Sequence, residues 1–291
     1  MVKLFKNPAN SGKKVNRSSQ GNVAMFIFLS VFGIFMVLPL VYTISNAFKP
    51  LDELFLFPPK IFVRNPTLDN FSMLTDLMSG SRIPFSRYIV NTIIITIGGT
   101  GGHVIFASAA AYPLEKHRFR GRNFLFGIVV MSLMFSPVVT NIPNYLVISK
   151  LGINNTYLAI ILPAFSSSLG LYLMKQFISQ IPDSMLESAR LDGANEIQIW
   201  ATIVIPNVKP AQYTLILLMF QSLWGNDGGG FLRSEQLKPL NYALNQIVQG
   251  GVARAGAAGA VGLILMSLPI LFFIVTQSSI IETMATSGMK G

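Results

Sequence analysis

The chain's 291 residues are 51% hydrophobic and only 12% charged, with a mean hydropathy of +0.54 and a net charge of +10. Soluble domains carry about twice that share of charge, so a disordered chain, a coiled coil and a soluble enzyme are excluded and an integral membrane protein is indicated. The positive excess is not read as a nucleic-acid signature, because the Lys and Arg sit in short segments beside apolar runs, where membrane topology places them.

Residues 1–22 hold Lys3, Lys6, Lys13, Lys14 and Arg17 with no acid and are expected to form a basic cytoplasmic tail. A lipid-crossing helix needs about 20 mostly apolar residues, and six candidate spans follow. The first, Val23–Asn46, is longer than the roughly 7–15-residue core of a secretory signal. It is expected to be retained, although Ser45-Asn46-Ala47 has the small-x-small form of a cleavage site. In the 49–87 stretch Lys49, Lys60, Arg64, Arg82 and Arg87 nearly balance Asp52, Glu53, Asp69 and Asp76, which suits the outer side. Tyr88–Pro113 is the second span. Lys116, Arg118, Arg120 and Arg122 then place the following turn in the cytoplasm with the N-terminal tail. Asn123–Ser149, Thr156–Met174, a short Ala211–Trp224 and Ala255–Gln277 complete the six, leaving residues 278–291 as a polar, flexible cytoplasmic tail. Pro39, Pro137, Pro143, Pro163 and Pro269 lie inside these runs, where neighbouring helices satisfy the freed carbonyls. The fold class is an all-α, six-span membrane protein with both termini inside.

The spans contain no Asp, Glu, Lys or Arg. Carriers driven by protons or sodium usually keep such groups at depth. His103 is the one ionisable exception. It follows Gly98-Gly99-Thr100-Gly101-Gly102, a run that lets helices approach closely and lets His103 hydrogen-bond across a helix pair. The competing reading is a proton relay in an ion- or proton-coupled secondary carrier. Cysteine is absent and only His103 and His117 are histidines, so no metal site is expected. There is no phosphate-binding loop, zinc helix or nucleophile elbow. A membrane enzyme is therefore a weak third reading, no catalytic residue is named, and uphill transport would need energy from a partner chain.

Between spans four and five lies the polar stretch Lys175–Pro210. Pro182 stops the preceding helix, Ser184 with Glu187 fits a capping box, and Gly193 suits the left-handed residue that ends the helix near Leu191 or Asp192. A second helix then places Ile197, Trp200, Ala201 and Val204 on one face, and Pro206 ends it. The polar surface carries Asp183, Glu187, Asp192 and Glu196 against Arg190, with no partner evident within the chain. Anionic lipid repels such a face, so a protein partner suits it better.

Glu187-Ser188-Ala189, three residues, Gly193, nine residues, then Ile203-Val204-Ile205-Pro206 resembles the EAA loop of bacterial ABC importer permeases. The Leu191–Ala194 core (Leu-Asp-Gly-Ala) is similar to the sugar-importer branch, the maltose-type inner-membrane permeases. Ser188 stands for the first Ala of that pattern and Ile205 for its Leu. Trp224-Gly225-Asn226 resembles the branch's Trp-Asn with Gly225 inserted, and the Gly288–Gly291 ending resembles its Gly-x-Lys-Gly. The resemblance covers nearly everything from Val23 onward. It implies a MetI-like permease domain over 23–291 in a bacterial plasma (inner) membrane, with a coupling loop at about 183–206. In that loop Glu187, Ser188, Ala189, Asp192, Gly193, Ala194, Ile203 and Pro206 would seat in a cytoplasmic ATPase. It implies a homologous second permease, two ATPase subunits that bind ATP and Mg, an extracytoplasmic sugar-binding protein, and no cofactor on this chain. A sugar, and an oligosaccharide in particular, suits a path lined by neutral polar and aromatic groups. The candidates are Asn91, Asn141, Asn144, Tyr145, Gln221 and Trp224, each of which has interhelical hydrogen bonding as the plainer alternative.

Overall fold

The structure is a computed structural model that describes residues 19–80, 83–251 and 254–287. The five basic residues of the expected N-terminal tail and the Gly288–Gly291 motif lie outside these residues. All regular structure in the described residues is helical. The helices are α1 (Ser19–Phe48), α2 (Leu51–Leu54), α3 (Asp69–Ser79), α4 (Phe85–Lys116), α5 (Arg122–Ser132), α6 (Pro137–Lys150), α7 (Leu158–Phe165), α8 (Ser168–Ile178), α9 (Asp183–Leu191), α10 (Glu196–Ile199), α11 (Ile205–Asn207), α12 (Lys209–Trp224), α13 (Leu240–Val248) and α14 (Ala255–Ser287). A π-helical turn, Trp200–Val204, joins α10 to α11.

α4 is the central helix. It packs along α7, α8 and α12, and its glycine run makes the seam close. A Cβ on Gly99 would lie 2.4 Å from Leu223 Cδ1, and one on Gly102 would lie 2.0 Å from the Phe165 ring. His103 is 1% exposed, and its Nε2 lies where a Cβ on Gly170 would sit, 2.1 Å away. The Gly-rich sequence thus permits a near-backbone approach of three helices, as expected for membrane packing. A second group holds α1 against α14 and α3. Asn70 caps the carbonyl end of α1, donating to Ala47 O (2.9 Å) and Lys49 O (2.8 Å), groups a helix end otherwise leaves unpaired.

Among the described residues four helices are long and apolar enough to cross a membrane: Gly21–Phe48, Phe85–Lys116, the Leu158–Ile178 run through α7 and α8, and Ala255–Gln277. A fifth is counted if Glu196–Asn207 and Lys209–Trp224, which meet at an 80° bend, are taken as one. The expected third span is not one helix. α5 ends at Ser132 and α6 restarts at Pro137, with Ser136 accepting a hydrogen bond from Val138 N as N-cap. Ser followed by Pro is a helix start, and this one falls inside the apolar run. α14 also continues ten residues past Gln277, to Ser287, where the sequence suggested a flexible tail.

At the end of α4 near Lys116 one apolar cluster joins Ala107, Ala111 and Tyr112 of α4, Met174 and Ile178 of α8, and Leu186, Ile199, Val204 and Leu215. At the opposite end, near Tyr88, a second cluster joins α3, α13 and α14 around Leu74, Leu244 and Val261.

Candidate functional site

The stretch from Pro182 to Val208 forms two short helical limbs hinged at Gly193. Pro182, with φ −61° and ψ 135°, is the N-cap of α9, so Ser184 lies inside the helix and caps nothing. Its backbone carbonyl instead accepts from Ser188 Oγ at 2.9 Å. The fixed φ of proline before an acidic first-turn residue is what sets that start. α9 ends in a Schellman turn: Ala194 N donates to Ala189 O (3.0 Å) and Gly193 N to Arg190 O (3.1 Å). Gly193 holds φ +84°, the left-handed conformation this motif requires. The capping box of the region is one residue set further on. Asn195 Oδ1 accepts from Gln198 N, and Gln198 Oε1 accepts from Asn195 N.

The second limb turns differently from the expected face. Ile199 and Val204 are buried, Trp200 and Ile203 pack against the same cluster, and Ile197 is 76% exposed. The π-helical turn explains this: it widens one turn, so the inward positions fall at 199, 204 and 208, not at α-helical spacing throughout. Pro206 does not end the limb, since α11 continues to Asn207 before the bend.

The loop's acids are divided. Asp183 pairs with Lys116 Nζ at 2.7 Å, and Lys116 also donates to Ile181 O. Glu196 Oε2 accepts from Tyr112 Oη (2.7 Å) and lies 3.1 Å from His117 Nε2, while its Oε1 accepts from Arg190 Nε (2.9 Å). The expectation that this face lacks intrachain partners therefore fails for these two residues, because α4 ends beside the loop in space though it lies far away in sequence. Arg190, Tyr112 and His117 hold the Glu196 carboxyl down to about 2. Lys116 likewise lowers the exposed Asp183 carboxyl. Glu187 and Asp192 make no ion pair among the described residues. They share the open surface with Ser188, Gly193 and two apolar side chains, Leu191 (90% exposed) and Ile197, the latter expected on the inward face. A leucine on the polar limb of an otherwise charged loop was the available signal. Ala189 and Ala194 are half-buried beneath this surface, with Ile203.

The candidate path residues separate into two sets. Asn91 is 0% exposed; its amide donates to Gln236 O and Lys238 O (2.8 Å each) and accepts from Tyr157 Oη (2.7 Å). Trp224 donates from Nε1 to Leu265 O at 3.0 Å. Tyr145 Oη lies 3.1 Å from Arg233 Nη2, which donates to it. Asn141, Asn144 and Gln221 are exposed.

Residues 103–283, more than half the chain, match the family described as binding-protein-dependent transport system inner membrane component. The chain is similar to Protein LplC of Bacillus subtilis (strain 168), with 32% identity across 78% of this chain and 75% of that protein. It is also similar to the arabinooligosaccharides transport system permease protein AraQ of the same organism, with 26% identity across 92% of this chain and 96% of that one. In fold it resembles a chain of the crystal structure of a bacterial ABC transporter involved in the import of the acidic polysaccharide alginate. That likeness has a TM-score of 0.76 and 24% identity, covering 90% of this chain and 98% of the other. By the breadth of the family match and the identity to its relatives, the chain belongs to the binding-protein-dependent transport system inner membrane components.

Proposed function

We propose that this chain is the permease subunit of an ATP-driven oligosaccharide importer. The observation that carries the reading is the 183–207 loop. Its inner side is fastened to the bundle, and its outer side offers two unpaired carboxylates beside Leu191 and Ile197. Exposed apolar groups rimmed by charge suit a protein interface. The partners are two cytoplasmic ATPase subunits, which bind ATP and Mg, so this chain is non-catalytic and carries no cofactor. Glu187, Ser188, Asp192 and Gly193 are the docking residues, supported from below by Ala189, Ala194 and Ile203, with the exposed Pro206 at the far end of the loop.

A homologous second permease completes the path against the exposed faces of α5 and α6, and an extracytoplasmic binding protein delivers the solute. Six crossings follow if Arg122–Lys150 crosses as a broken span, and both termini are then cytoplasmic. Asn141, Asn144 and Gln221 remain open to solute, whereas Asn91 and Trp224 hold the fold around it. The arabinooligosaccharide permease among the relatives supports a sugar substrate. The test is uptake of labelled arabino-oligosaccharides by cells bearing the native operon. Uptake is expected to collapse on ATP depletion and to survive an uncoupler; the opposite pattern would indicate a carrier using His103 and overturn the reading.

A further inference from the structure

We infer that α4 is the rod that carries movement of the coupling loop to the outer end of the protein, with Asp183 and Glu196 as the positioning residues that fasten the loop to it. The inference rests on the importer reading above.

The loop has two kinds of attachment. Its covalent ends are joints: a turn at 179–182 leads back to α8, and an 80° bend leads on to α12. Such points set the loop's angle only loosely, because hinges lie where elements end. The lateral attachment is different. α4 holds the loop on both sides of Gly193, through Lys116 to Asp183 and Ile181 O before it, and through Tyr112 and His117 to Glu196 after it. Arg190 bridges the two limbs by donating to Glu196. Charge-assisted hydrogen bonds of this kind fix direction as well as distance. The apolar seat of Leu186, Ile199 and Val204 holds the loop close without fixing its angle.

α4 then runs 32 residues as one helix, about 48 Å at 1.5 Å per residue. Pro113 lies inside it at the inner grip, between Tyr112 and Lys116, so no proline breaks the length from Tyr88 to Tyr112. Its outer turns grip one short segment. Tyr88 Oη donates to Glu235 Oε1 (2.9 Å), the Asn91 amide donates to Gln236 O and Lys238 O, and Leu240 N donates to Thr92 Oγ1 (2.7 Å). One rigid element thus has polar grips at both ends and no joint between them. Such a contiguous connection is a physical route for coupling, provided that both ends bias its position.

The native chain has no cysteine, and Gly230 has open space around an added Cβ, so Gly230→Cys gives a single reporter in the outer segment. In the complete importer complex, Mg-ATP is expected to change the maleimide labelling rate at residue 230. Glu196→Gln and Tyr112→Phe are each expected to reduce that ATP-dependent change by about fivefold or more, the lower end of measured coupling effects, while the ATPases remain bound. A change of wild-type size in both variants overturns the inference. So does a wild-type complex that hydrolyses ATP with no change at residue 230. If Glu196→Gln fails to assemble, Tyr112→Phe decides, since it removes one hydroxyl and leaves the charges in place. Loss of ATPase association in the unsubstituted chain would instead refute the importer reading.

Discussion

Gly193 and Glu196 show how single residues set the loop. At Gly193 the backbone is left-handed and an added Cβ meets nothing within 4 Å, so a substitution is penalised by conformation and not by collision. Placing an ordinary L-residue there costs roughly 1–2 kcal/mol, more for a β-branched one and less for Asn, which visits that region. Gly193→Val is therefore expected to reach the membrane at normal levels yet lose ATPase co-purification and uptake, with Gly193→Asn retaining most of both. Equal behaviour of Val and Asn would refute the turn requirement. At Glu196 the folded carboxyl lies at about 2, below its ordinary 4.5. A depressed carboxylate stabilises the fold above its unfolded value, and that stabilisation is lost as pH falls through the folded one. Fluorescence of Trp200, read in a Trp224→Phe background, should thus be constant from pH 8 to about 5 and change only below about 4.5. A transition near neutrality would mean that the grip on α4 is held by something else.

At the scale of elements, what could be read from sequence was what is local. The Schellman ending of α9 was legible because Gly193 and its neighbours carry the whole motif. The limb after it was misread because a π-helical turn is a register change with no residue signature of its own. Asp183 and Glu196 seemed unpartnered because Lys116, Tyr112 and His117 approach only through tertiary folding. The break between α5 and α6 did have a signal, Ser136-Pro137, which the continuous apolarity of Asn123–Ser149 outweighed. The Gly98–His103 run was read correctly as close packing, and it yields a prediction about the seam. Gly170→Ala places a methyl on the His103 ring, and overpacking of this kind costs about 1–3 kcal/mol. A lowered melting temperature in detergent is expected, recovered in part when His103→Ala is added. His103→Ala alone should keep ATP-dependent uptake; abolished uptake with normal folding would revive the relay.

For the whole molecule, α1 shows no buried residues over most of its length, and α5 shows none, so these faces meet lipid or another chain. Reconstituted alone, the chain is expected neither to hydrolyse ATP nor to accumulate a sugar, whereas purification from its native operon should bring down a second permease and an ATPase in fixed ratio. Accumulation by the lone chain would overturn the importer reading. The all-helical membrane class and the family were legible at this scale because composition forces membrane helices and the Glu187–Pro206 spacing is long. The six-span count was not, since the expected third span is broken between α5 and α6. Nor was the helical extension to Ser287, since polar residues beyond an apolar run leave helix and coil equally open.

The seam between α4 and its neighbours also limits the degrees of freedom of the protein. Leu223 and Phe165 each fill a notch left in α4 by a missing side chain, and His103 of α4 fills the notch at Gly170 of α8. Rotation of α4 about its own axis would drive backbone into these groups, and sliding along the axis would lift each out of its notch. Neither can proceed by small steps. What remains is tilt of α4 together with α7, α8 and α12 as one block, so this half of a transporter has few independent moving parts.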